Sequence, residues 1–80
     1  MDEPELFDWV ARQIVDILDV ERSEVAADTD LADIGADSID MVEVINRAER
    51  EFGVVIDEHD LYEVGTIGEL AQLIARQAGS

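Results

Sequence analysis

The chain has 80 residues, 48% of them hydrophobic, and a formal charge of −16 from 21 acids against five bases. One small domain over 1–80 fits this length, with enough apolar content to argue against disorder. The acidity disfavours nucleic acid and anionic membranes and favours proteins with basic patches, or simply keeps a small helical protein soluble.

The first helix is expected over about 4–19, opening on Asp2-Glu3-Pro4-Glu5, with Pro tolerated in the first turn and acids complementing the dipole. Leu6, Phe7, Val10, Ile14, Ile17 and Leu18 recur at helical spacing as one apolar stripe, with Trp9 half covered beside it. Residues 20 to 37 form the longest non-helical piece, in which Asp28, Thr29 and Asp30 can cap a short turn that buries Leu31 and Ile34. Gly35 lets the backbone turn sharply before Asp37, the expected N-cap of a second helix over about 38–52. Val44, Ile45, Ala48 and Phe52 are its core candidates, Ile39, Met41 and Val42 cluster near its first turn, and Gly53 closes it. A short third helix is expected over about 57–63, with Leu61 and Tyr62 reaching inward. The last, over about 66–77, opens on a Thr66–Glu69 capping box and carries Ile67, Leu70, Leu73 and Ile74 on one side. Val54-Val55-Ile56 is the one β-like run and is too short to pair, so the fold expected is an all-α, small four-helix bundle.

The chemistry available is sparse. There is no cysteine, so neither a disulfide nor a thiolate metal site can form, and there is one histidine. His59 reads as a surface residue, and a Ser-His-Asp hydrolase would need a Gly-x-Ser-x-Gly elbow on a strand. Asp28-x-Asp30 resembles the start of a calcium loop, but Asp33 stands at the glycine position and Ile39 at the closing glutamate position. Ser38 is the remaining candidate. It stands at a helix N-terminus, where free N–H groups and the dipole stabilise an attached phosphate, amid Asp37, Asp40 and Glu43. Position alone leaves open that Ser38 merely begins a helix.

The stretch Asp33-Ile34-Gly35-Ala36-Asp37-Ser38-Ile39-Asp40-Met41-Val42-Glu43 closely resembles the prosthetic-group motif of acyl carrier proteins. Glu51-Phe52, Ile56 and Val64-Gly65-Thr66-Ile67 fall where that family places matching residues, so the resemblance covers nearly the whole chain. It implies that Ser38 receives 4′-phosphopantetheine from coenzyme A through a Mg²⁺-dependent phosphopantetheinyl transferase. It also implies a non-catalytic carrier, whose imported thiol holds acyl groups as thioesters for an acyltransferase, ketosynthase or other acyl-processing enzyme. The implied docking residues are Asp37, Asp40, Glu43 and Glu49 for basic partners, with Ile39, Val42 and Ile56 as apolar contacts.

The chain departs from the family's usual pattern at Asn46, Arg47, Arg50 and Asp57, which leans toward polyketide-type rather than housekeeping fatty-acid assembly. An aminoacyl or peptidyl carrier more often has histidine where Asp37 stands, and an unmodified acidic helical adaptor would use Ser38 only to start its helix. With no signal-like segment and no apolar run near the roughly 20 residues of a membrane span, a free-standing, monomeric, cytoplasmic protein is expected.

Overall fold

The computed structural model describes residues 2–78, and its regular structure is helical throughout: α1 (Glu3–Leu18), α2 (Ser38–Phe52) and α3 (Ile67–Ala78), with 3-10 segments at Arg22–Glu24, Leu31–Ile34 and Glu58–Glu63. The third helix of the expected bundle exists, but as six residues of 3-10 geometry. Among the described residues there is no strand, only an isolated bridge between Asp30 and Thr66, and no helix long and apolar enough to cross a membrane.

Local chemistry sets the helix ends. Asp2 caps α1 by accepting the Glu5 N–H at 2.9 Å, with Pro4 in the first turn. The helix stops at Asp19, which adopts a left-handed φ of 57° and donates its N–H to the Val15 carbonyl. Gly53 ends α2 at φ 68°, where a side chain would be strained. At the start of α3 the capping box is complete: Thr66 Oγ1 accepts the Glu69 N–H at 3.1 Å, and Glu69 accepts the N–H groups of Gly65 and Thr66. These bonds, Gly65 first and Thr66 second, hold the Glu69 carboxyl below its ordinary pKa.

The core gathers Val10, Ala11 and Ile14 from α1, Val44, Ile45 and Ala48 from α2, and Ile67, Leu70, Leu73 and Ile74 from α3. The connections add Val25, Leu31, Ile56 and Leu61, so each irregular segment is pinned by an apolar plug. Trp9 and Phe52 are each half-buried and meet edge to face at 4.9 Å. Ile34 is likewise only half-buried. Tyr62 does not reach inward. It is 85% exposed and rests against the exposed His59, because the tight 3-10 turn aims Leu61 at the core and its neighbour outward.

The long connection before α2 is stitched to the head of α3 by backbone bonds. Leu31 N–H donates to Gly65 O at 3.0 Å, Ile67 N–H to Thr29 O at 3.1 Å, and Gly68 N–H to Ala27 O at 2.9 Å. Thr29 does not cap the Leu31–Ile34 segment: its hydroxyl accepts the Ala26 N–H and bonds the Glu24 carbonyl, closing the preceding turn. Asp30 precedes that segment, yet its side chain makes no capping bond. Glu3 of α1 lines one cleft with Ala75 and Arg76 of α3, and a second with Ala27 and Gly68.

Candidate functional site

The site is built by the way α2 starts. Gly35, at φ 79°, ends the Leu31–Ile34 segment in the left-handed region, and the Ala36 N–H returns to the Leu31 carbonyl at 2.9 Å. The chain then extends into Asp37, whose Oδ1 accepts the Asp40 N–H at 3.0 Å while Asp40 Oδ2 accepts the Asp37 N–H at 3.2 Å. A helix start leaves four amides without intrahelical partners. Here the reciprocal box satisfies two of them, and those of Ser38 and Ile39 have no partner among the described residues.

Ser38 is exposed, and its hydroxyl enters no hydrogen bond among the described residues. An accessible oxygen, two uncommitted amides and the positive end of a 15-residue helix fit an esterified phosphate at this position. Under this turn, Ile17 and Leu18 of α1 line a small pocket of about 10 Å³ with Leu31, Ala36, Asp40, Met41 and Val44. That is room for roughly one water. The first turn of α2 therefore rests on a filled floor.

The expected docking residues separate into distinct environments. Ile39 is 76% exposed and stands beside Ser38, free for apolar contact. Val42 is half-buried. Asp37 is exposed and Asp40 half-buried, and each is tied to the other's backbone. Glu49 accepts the Ile56 N–H at 2.9 Å and so fastens the segment that follows α2. Ile56 offers no side chain to a partner: it is 4% exposed, because that fastening turns it into the core.

Glu43 has partners within its own chain. Its Oε1 accepts Arg47 Nε at 3.0 Å and lies 4.0 Å from Arg50 Nη2. Arg47 in turn reaches α1, donating to Asp16 at 2.9 Å and Gln13 at 3.1 Å. These bonds, Asp16 first and Glu43 second, raise the guanidinium pKa further. Sequence reasoning missed this cross-helix clamp. The i,i+4 spacing of Glu43 and Arg47 was the available signal, but the link to Asp16 requires knowing which faces of α1 and α2 meet.

Residues 8–74 match the family model of the phosphopantetheine attachment site. The chain is 37% identical over 76 residues to an acyl carrier protein of Thermotoga maritima, covering 94% of both chains. It is 35% identical over 77 residues to an acyl carrier protein of a Picosynechococcus species, covering 95% of both. Its structure is similar to the HMG-ACPI domain of the CurA module from Lyngbya majuscula, solved by NMR, with a TM-score of 0.79 and 29% identity over 94% of this chain and 76% of that one. The Gly35-to-Glu43 helix start thus sits within a match running from α1 to α3, and the chain belongs to the acyl carrier proteins, which bear acyl groups on a covalently attached 4′-phosphopantetheine.

Proposed function

We propose that Ser38 is the attachment residue and that the protein is a non-catalytic, cytoplasmic carrier in a polyketide-type pathway. The observation that carries the attachment is the exposed, unengaged hydroxyl heading α2 beside two uncommitted amides. When bound, the prosthetic arm supplies the thiol that this cysteine-free chain lacks. The chain's residues do the rest. Asp37 and Asp40 fix the first turn so that Ser38 is presented in one geometry, and the helix dipole offsets part of the added charge. Ile39 offers an exposed apolar contact at the same turn. Tethering raises the local concentration of cargo at whichever basic, acyl-processing partner docks.

The pathway reading draws support from the CurA-module relative and from the departures at Asn46, Arg47, Arg50 and Asp57. Incubation with coenzyme A, Mg²⁺ and a broad-specificity phosphopantetheinyl transferase, followed by intact mass measurement, tests the attachment. One phosphopantetheine is expected on the wild type and none on Ser38→Ala. A gain that survives in Ser38→Ala refutes the assignment. The acid freed by hydrolysing the thioester on protein purified from the native cell tests the pathway: a uniformly saturated fatty chain would refute a polyketide role.

A further inference from the structure

Beyond its first turn α2 mixes the signs, with Arg47 and Arg50 set among Glu43, Glu49 and Glu51. Glu43, the next acid after Asp40 along the helix, is 44% exposed, yet its Oε1 already accepts Arg47 and has Arg50 at 4.0 Å. Arg47 cannot swing aside readily, because Asp16 and Gln13 hold its other nitrogen from α1, and its side chain is only 27% exposed. Arg50, at 72% exposed, is the more solvent-facing of the two cations on a chain of net charge −16. A partner's lysine or arginine would therefore compete for Glu43 with two resident guanidiniums, on a surface that Glu51 also lines. Like charges brought together in this way reject a partner more effectively than a lost pair weakens one.

We propose that Arg47 and Arg50 are specificity-determining residues that mask Glu43. They exclude partners that read the middle of α2 with a basic side chain and admit those whose cations lie opposite Asp37 and Asp40. The inference rests on the carrier reading, and its test separates the two. The probe is the same transferase with coenzyme A and Mg²⁺, and the measured quantity is kcat/KM for the apo protein. Neutralising the arginines also raises the net negative charge and speeds encounter with any basic enzyme. A double-mutant cycle removes that general effect.

Glu43→Gln in the wild-type background should change kcat/KM by less than about twofold, and in the Arg47→Gln/Arg50→Gln background should lower it by about fivefold, the upper range for one exposed ion pair. Arg47→Lys keeps a cation beside Glu43 and should behave as wild type. Because Arg47 also ties α1 to α2, helicity is checked by circular dichroism; Arg50→Gln alone should unmask Glu43 with the same sign and a smaller size. An equal Glu43→Gln effect in both backgrounds, whether large or absent, overturns the masking. Absence of any mass gain on the wild type would instead refute attachment at Ser38.

Discussion

Gly68→Ala isolates the stitching between the long connection and α3. A Cβ built at Gly68 would lie 2.8 Å from the Ala27 carbonyl oxygen and 3.2 Å from the Ala27 side chain. That oxygen also accepts the Gly68 N–H at 2.9 Å, so relieving the clash lengthens the bond. Overpacking of this kind costs about 1–3 kcal/mol. A weakened backbone hydrogen bond adds roughly 0.5–1.5 kcal/mol. Alanine recovers about 0.5–1 kcal/mol over glycine within a helix. The net loss is near 2 kcal/mol, which for a domain of this size lowers Tm by about 8–16 °C. Thermal melts followed by circular dichroism read it directly. Gly65→Ala is the control: its added Cβ meets only the end of the Glu69 side chain, at 3.4 Å, and should stay within about 0.5 kcal/mol. A Gly68→Ala protein that melts at or above the wild-type temperature would refute the reasoning.

Asp19→Gly should stabilise by about 0.5–1 kcal/mol, since it relieves a left-handed residue and removes an acid from the negative end of α1; an unchanged or lower Tm would contradict it. Glu69 is held below its ordinary pKa in the folded state, so its contribution is present above the unfolded value and lost as pH falls through the folded one. Chemical denaturation of wild type and Glu69→Gln should differ most at neutral pH and converge in acid; a difference constant across that window would show that the carboxylate's charge does not matter. Self-repulsion at a charge of −16 should make Tm rise with added NaCl or Mg²⁺, and a melt indifferent to salt would remove that term.

Much of the scaffold was legible because its punctuation is local. Asp2 with Pro4, Gly53, and Thr66 with Glu69 act within three or four residues of themselves, and each stands where the helices begin or end. The head of α2 was legible for the same reason: Gly35 and Asp37 need no distant partner to place Ser38. What escaped depends on which faces meet. Val55 and Ile56 are adjacent apolar residues, yet Ile56, whose N–H is bonded to Glu49, is buried while Val55 is 84% exposed. Tyr62 and Leu61 are adjacent apolar candidates, and only the 3-10 turn chooses between them. Gly68 drew no notice in the sequence, and the Ala27 backbone lying against it explains why a glycine stands there. The Arg47 clamp on Glu43 escaped for the same reason, since only the packing of α1 on α2 brings Asp16 to Arg47.

The course of α1 has a practical outcome. Its Glu3 end shares a cleft with Ala75 and Arg76, while its Leu18 end lies under the first turn of α2 beside Met41. Sixteen helical residues separate these poles by about 24 Å. A fluorophore or affinity handle attached at Glu3 or Arg76 would therefore sit far from the first turn of α2 and leave the surface around Ser38 unobstructed.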